Sequence, residues 1–360
     1  MDSLLTSVIK KILFAFLVFS GLYFAKDFLM PLCIGGILAT LFLPFCKWME
    51  RKKVSKVVAV LLCLLVLLTL VIGVFTLLGW KIIELASDLA LIKERAIATG
   101  RLIQEYLFSS LNITIEEQYQ ILKNEQPSYS NVMQTLLGSV AYVFTTLLLV
   151  MVYFLFLLYY RNHIRNFIIQ LSASYEQSEI KEVILSVTKI SQDYLLGLSK
   201  MIVLLWIMYG IGFSAIGVKN AIFFAILCGL LEIVPYVGNI TGTLLTVLVA
   251  AIHGATPSLL GSIIVIYVLV QLIQGWILEP LILGPQVKIN SLFTIIALVL
   301  GELLWGIPGI ILAIPLLAMV KIICDHVESL KPYGFLIGEI KTKKKEQKVI
   351  NIIKKQVFKK

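Results

Sequence analysis

Three glutamates stand within otherwise apolar sequence, and they are the residues of this chain best placed to do chemistry. They are Glu232, Glu279 and Glu302. An acid at bilayer depth is costly, so such residues usually face a cavity or a partner and mark ion or substrate paths. Burial disfavours the charged form of a carboxyl group, which suits proton uptake and release. The structural alternative is that each acid is hydrogen-bonded and simply ends a broken helix.

Polar side chains that suit a solute lie in the same region of the sequence. Tyr267, Gln271 and Gln274 recur at steps of four and three residues, so a helix would place them on one face. Glutamines in hydrocarbon need hydrogen-bond partners, and bonds between helices are the structural explanation. A path for a polar ligand is the functional one, and Asn239 could join it.

Two long apolar segments in the last third of the chain are interrupted near their middles. Residues 220–252 and 291–320 each exceed the roughly 20 residues of one span. Broken helices at membrane depth are tolerated only where they are buried in protein or line a wet cavity. We therefore predict two broken or re-entrant helical hairpins, one entering from each side, with a crossing helix between them. If each segment instead crossed the membrane twice, or once at a tilt, the C-terminus would lie on the same side of the membrane.

Each interruption contains proline and glycine, and each follows one of the acids. Pro235 and Gly238 form the first tip, and Pro308 and Gly309 form the second. In transporters, paired segments broken by glycine or proline point to the binding site. We expect the two tips to gate one central cavity. Glycine would be required there because it permits backbone shapes that alanine resists.

The elements that must position these residues are membrane helices. Of 360 residues, 59% are hydrophobic and 14% are charged, whereas an ordinary soluble domain has about 25% charged residues. Three stretches, 57–80, 137–160 and 254–278, hold no charged residue, and each is long enough to span a bilayer. The predicted fold is an all-α polytopic integral membrane protein with about eight membrane segments and additional amphipathic extramembrane helices.

The charge distribution predicts the order and the sidedness of these elements. Residues 47–56 hold five basic residues and one acid, which indicates a cytoplasmic loop and a cytoplasmic N-terminus. The predicted order is three spans in residues 1–80, an external amphipathic region in 81–136, a fourth span in 137–160, cytoplasmic amphipathic helices in 161–200, a transport core in 201–324 and a basic cytoplasmic tail in 325–360.

Several function classes are disfavoured by composition and motifs. The basic tail is expected to meet anionic lipid headgroups rather than nucleic acid. Five cysteines without a C-x-x-C pair and three distant histidines argue against a disulfide framework or a zinc site. The sequence has no P-loop, so direct ATP drive is not predicted. We expect no enzyme activity and no cofactor beyond a coupling ion, H⁺ or Na⁺.

Three stretches together resemble the autoinducer-2 exporter family of bacterial membrane permeases. They are DYLLGLSKMIVLLWIMYGIGFSAIGV, LLEIVPYVGNITG and LEPLILGPQVKINSLFTIIALVLGELLWGIPGIILAIPLLAMVK, within residues 193–321. The resemblance implies a multi-pass protein of the bacterial inner membrane that exports a small polar solute without ATP. It also implies a homo-oligomer, with a pentamer as one form.

The resemblance leaves more than one function open. Some members look like sodium(lithium)/proton antiporters, and a non-transporting membrane scaffold is a further alternative. A hydroxylated solute would suit Gln271, Gln274 and Asn239. A cation or a proton would suit the three glutamates named above.

Overall fold

The computed structural model describes residues 2–87, 129–171, 177–234, 237–283 and 289–339, and this part of the chain is helical apart from its turns and one isolated bridge between Ile289 and Gly338. The first half contains α1 (Asp2–Phe24), α2 (Lys26–Arg51), α3 (Lys56–Ser87), α4 (Tyr129–Gln170) and α5 (Gln177–Ala215). The second half contains α6 (Ala221–Leu231), α7 (Val237–Ile252), α8 (Pro257–Ile273), a π-helix (Gln274–Leu283), α9 (Ser291–Trp305), α10 (Ile307–His326), a 3₁₀ turn (Glu328–Leu330) and α11 (Lys331–Ile337).

Six of the described helices are long and apolar enough to cross a membrane. They are α2, α3, α4, α5, α8 with the π-helix, and α10. Shorter apolar stretches lie in α1, α6, α7 and α9. The prediction of an all-helical polytopic membrane protein is confirmed at this level.

The helices α2, α3 and α4 form one bundle. Its buried contacts include Ala59, Cys63 and Phe154. Gly35 of α2 lets the backbone of α4 approach closely, since a Cβ there would lie 3.0 Å from the carbonyl oxygen of Val150. We call the end of the bundle that carries residues 52–55 the loop face.

An ion pair at the loop face joins α2 to α4. Arg161 donates to both carboxylate oxygens of Glu50, at 2.6 and 2.5 Å. The Lys56 ammonium lies 4.7 Å from the ring centroid of Tyr159. The basic loop and the Arg161 end of α4 therefore share one face, as expected if α3 and α4 each cross the membrane once.

A second bundle joins α5 to α6, α7 and α8. Tyr209 and Phe213 of α5 are fully buried against Phe224 of α6 and Ile263 of α8. Trp206 donates to the carbonyl of Ile226 at 3.1 Å, and Gly210 faces Ala225. The helix α6 thus runs antiparallel to α5, from the face opposite the loop face back into the bundle.

The segment predicted to hold cytoplasmic amphipathic helices, residues 161–200, consists of the ends of two long helices. The helix α4 continues to Gln170, and α5 begins at Gln177. Residues 177–196 of this segment form the N-terminal half of α5. Its buried side packs on α2 and α10 through Leu195. Most of the predicted external region, residues 88–128, and the basic tail from residue 340 lie outside the described residues.

The first two helices are joined by a bend rather than by a reversing turn. Ala25 donates to the carbonyl of Gly21, and Leu29 donates to the carbonyl of Ala25, so helical bonding continues across the junction. Connections between antiparallel helices commonly need two or more residues. The junction between α1 and α2 therefore holds no loop of that length. A crossing by α1 and a cytoplasmic N-terminus stay predictions.

Candidate functional site

The first interruption is a helix pair that turns inside the bundle. The helix α6 has 11 residues, about 16 Å, which is about half of the hydrocarbon thickness. The helix α7 then returns alongside it, because Gly238 lies against the carbonyl of Leu231 and Gly242 against Cys228. Glu232 follows directly after α6, at the turn of this pair.

Glu232 is the centre of a hydrogen-bonded network. Gln274 donates to Glu232 Oε1 at 2.6 Å and lies 3.4 Å from Glu279 Oε1. The Gln271 amide donates to Gln274 Oε1 at 3.1 Å and to the Tyr209 hydroxyl at 3.4 Å. The network therefore connects the turn after α6 with α5, α8 and the π-helix.

The burial of this network is uneven. Glu232 is 5% exposed and Gln274 is 1% exposed, whereas Glu279 is exposed and Gln271 and Tyr267 are half-buried. Glu232 Oε2 has no hydrogen-bond partner within the described part of the chain. A buried carboxylate oxygen without a partner is costly and needs an explanation such as a ligand or a proton.

The π-helix explains why Gln274 reaches two carboxylates. Residues five apart lie about 140° apart around an α-helix, so Gln274 and Glu279 would face different directions there. In the π-helix, hydrogen bonds link residues five apart and the turn is wider. Pro280 lies within this segment and lacks an N–H group to donate. Such π-helical turns often occur at functional sites.

The second interruption is a separate helix pair, of which α10 packs on α5. The helices α9 and α10 meet at Gly306, whose φ of 65° is left-handed. Glu302 is exposed on α9, Pro308 is half-buried and Gly309 is buried. The tip packs near Met30, at the start of α2, and so lies toward the face opposite the loop face.

The predicted site residues therefore divide into two groups. The structure brings Glu232, Gln271, Gln274 and Glu279 together, with Tyr267 packed on the same core. The hydrogen bonds of this group do not include Glu302 within the described residues, and α9 and α10 pack mainly on α2, α5 and α11. Pro235 lies outside the described residues, and so does the side chain of Asn239.

The structural role of the two tip glycines differs from the expected one. Neither Gly238 nor Gly309 has a positive φ, so backbone conformation does not require glycine there. Close helix contact does: a Cβ at Gly238 would overlap the carbonyl of Leu231, and a Cβ at Gly309 would overlap the carbonyl of Gly301. Left-handed backbone occurs at the second tip in Gly306, where α9 and α10 meet.

A comparison with protein families finds one match, and it covers most of the chain. Residues 12–329 match the family described as AI-2E family transporter. The chain belongs to the AI-2E transporter family. It is thus a multi-pass membrane protein of a transporter family and not a member of an enzyme family.

Relatives within the AI-2E family carry transport names. "Putative transport protein YueF" of Bacillus subtilis (strain 168) is 26% identical over 88% of each chain. "AI-2 transport protein TqsA" of Escherichia coli (strain K12) is 21% identical over 90% of this chain and 93% of its own. "Putative transport protein YrrI" of Bacillus subtilis (strain 168) is 30% identical, but the match spans only 37% of each chain.

Three polar contacts of this AI-2E chain were not predicted from sequence. Tyr209 lies in the network, although its position within an uncharged span carries no functional signal. Gln192 donates to the carbonyl of Thr40 at 3.2 Å. That carbonyl lies four residues before Pro44, which has no N–H to bond it. Trp305 donates to the carbonyl of Leu22 at 2.9 Å and ties α9 to α1.

Proposed function

We propose that this protein is a secondary transporter that exports a small polar solute of the autoinducer-2 type, coupled to proton movement and without ATP. The observation that carries the proposal is Glu232, which is 5% exposed at the turn of a half-length helix pair and has one oxygen on Gln274. Intramembrane acids of this kind mark ion and substrate paths. The name of the relative TqsA supports an autoinducer-2-like solute.

The transport core in this proposal is residues 201–324, with both interruptions acting as re-entrant elements. The first would enter from the face opposite the loop face and the second from the loop face. The amides of Gln271 and Gln274 would hydrogen-bond the hydroxyl groups of the solute, while Glu232 would carry the proton. Asn239, Pro235 and Gly238 would line the first tip. Glu302, Pro308 and Gly309 would belong to the second.

A sodium(lithium)/proton antiporter is the second candidate function. Its supporting observation is that Gln274 lies between two carboxylates, Glu232 and Glu279. Carboxylate oxygens are good ligands for a hard cation. In that case the exported species would be the cation itself, and no organic solute would be needed.

Orientation and assembly complete the proposal. The loop face is assigned to the cytoplasm because residues 47–56 carry five basic residues and one acid. Both termini would then be cytoplasmic in a bacterial inner membrane, with the basic tail near anionic headgroups. The active form would be a homo-oligomer, with a pentamer as one form.

The test is transport by purified protein in liposomes under an imposed proton gradient. Labelled autoinducer-2, an unrelated polar solute and labelled sodium are measured in parallel. We expect movement of autoinducer-2 that depends on the proton gradient, and a loss of at least about tenfold in Glu232→Gln, which keeps size but removes titration. Glu328→Gln, whose side chain is 93% exposed, is the matched control and should transport normally.

The outcomes separate the candidates. Movement of sodium without movement of autoinducer-2 would favour the antiporter. Normal transport with unchanged pH dependence in Glu232→Gln would contradict the role of Glu232. Transport by Glu302→Gln then reports whether the second tip also takes part in transport. A loss of transport in this variant would extend the transport path beyond the observed hydrogen-bonded network.

A further inference from the structure

An apolar groove runs between α5 and α6, outside the hydrogen-bonded network. Its volume is about 670 Å³, within the range of sites that hold small-molecule ligands. Gly210 of α5 faces Ala225 of α6 across its floor, and its rims include Ile207, Ile211 and Ile222, which are exposed. Because α5 is long and apolar enough to cross a membrane, the groove opens toward the lipid phase rather than toward water.

Small residues and one satisfied indole make the groove both deep and apolar. A Cβ at Gly210 would meet a single atom within 4 Å, the Cβ of Ala225 at 3.8 Å. Trp206 also lines the groove, but its indole N–H already donates to the carbonyl of Ile226 at 3.1 Å. The walls therefore suit a slender hydrocarbon group, which regains the dispersion contacts that a gap would lose.

Positive charge lies at one end of the groove. Ser214 and Ile222 line this end, and the turn that joins α5 to α6 closes it. Lys219 is exposed in that turn and is the one charged residue in positions 203–226. The ion pairs of the described residues do not include it. The N-terminus of α6, which carries a partial positive charge, begins at the same end. A phosphate group would be attracted to this position.

We propose that this groove binds a phospholipid, with one acyl chain between α5 and α6 and the phosphate at Lys219. A phospholipid has both features that the groove requires, an apolar chain and an anionic group at one end of it. A second copy of the protein that presented the same region would offer apolar surface but no acid, since positions 203–226 contain neither Asp nor Glu. The binding does not depend on the proposed transport function.

The experiment maps a photoactivatable lipid on the purified full-length protein. The probe is phosphatidylglycerol with a diazirine in one acyl chain, added at a limiting amount to protein in detergent micelles. Detergent removes loosely held lipid, and light then attaches the bound probe to the residues around its chain. Mass spectrometry of peptides gives the fraction of protein labelled within residues 201–231. We expect most of the label in this segment.

Filling the groove should prevent labelling of this segment. Gly210→Leu should reduce the labelled fraction at least about tenfold, because loss of contact with two methylene groups is enough for that change. Ser214→Leu should also reduce it, so the result does not depend on one variant folding. Gly261→Leu is the matched control, since a Cβ at Gly261 has no neighbouring atom within 4 Å and lies on α8. It should label as wild type does.

Removing the charge tests the phosphate contact separately. Lys219→Gln should reduce the labelled fraction about fivefold, the effect of one basic residue beside anionic headgroups. Lys189→Gln, which removes an exposed lysine from the other half of α5, should have no effect.

Three results would overturn the proposal. The first is label spread evenly over the apolar helices of wild type, and the second is label unchanged by both Gly210→Leu and Ser214→Leu. Equal labelling in Lys219→Gln and Lys189→Gln is the third, because it would remove the phosphate from the site. Cross-linking between two chains through single cysteines at position 211 would show that a second copy occupies the groove, and it would also overturn the lipid.

Discussion

The backbone contact between α9 and α10 predicts that Gly309→Ala destabilises the protein. A Cβ at Gly309 would overlap the carbonyl of Gly301 and lie 3.1 Å from the Cβ of Trp305. The first obstacle is backbone, so no side-chain rotation can relieve the overlap. The two helices would have to move apart, and the packing of both on their neighbours would change with them.

The expected size follows from two opposing contributions. Overpacking in a close-packed region typically costs about 1–3 kcal/mol, and contact with backbone places this site near the upper end. Alanine is better than glycine within a helix by about 1 kcal/mol, which offsets part of the loss. The net effect of Gly309→Ala is therefore a loss of about 2 kcal/mol of folding stability.

A matched control exists in α8. A Cβ at Gly261 would have no neighbouring atom within 4 Å, so Gly261→Ala should keep only the helix-forming gain of about 1 kcal/mol. Thermal unfolding in detergent can be followed with a thiol-reactive fluorescent dye, because Cys46, Cys63, Cys228 and Cys324 are buried. Gly309→Ala should unfold at least about 3 °C below Gly261→Ala. Equal Tm values would refute the overlap argument.

Two further predictions concern other parts of the fold. Gln192→Leu should lower the folding stability by about 1–3 kcal/mol, because it leaves the Thr40 carbonyl unpaired. Thermal unfolding should show that much of this loss of stability disappears when Pro44→Ala restores an N–H in the same chain. An equal loss of stability with and without Pro44→Ala would contradict the pairing. In a cysteine-free protein, single cysteines at positions 53 and 163 should react with an impermeant thiol reagent from the same side of the membrane. A single cysteine at position 254 should react from the opposite side. Labelling of positions 53 and 163 from different sides would contradict the shared loop face.

Much of the architecture could be predicted because it depends on local rules. Long uncharged stretches exceed what a soluble core helix requires, and bilayer thickness sets their length. The breaks near Pro235 and Gly306–Pro308 follow from the inability of proline to continue a helix. The helix ends near residues 161–200 could not be located, because neither α4 nor α5 contains a proline where it leaves the apolar stretch.

The candidate site was predictable residue by residue but not as an arrangement. An acid and two glutamines in apolar sequence indicate that partners exist, yet they do not say which ones. Gln274 and Glu279 are five residues apart, and α-helical periodicity separates them by about 140°. Only the π-helix brings both to one place. The pairing of tip with tip stays a prediction, since charge patterns give sides of a membrane but not neighbours within it.

The two helix pairs are held by different kinds of contact, and this difference bears on which one can move. The α9–α10 pair is closed by backbone contact at Gly301 and Gly309 and by the indole bond from Trp305 to α1. The turn at Glu232 is joined to the π-helix through the hydrogen bond from Gln274. A bond to an ionised carboxylate is roughly twice as strong as one to a neutral group, so protonation of Glu232 would weaken this link. A proton-driven cycle would therefore act on the α6–α7 turn and the π-helix, while α9 and α10 stay packed.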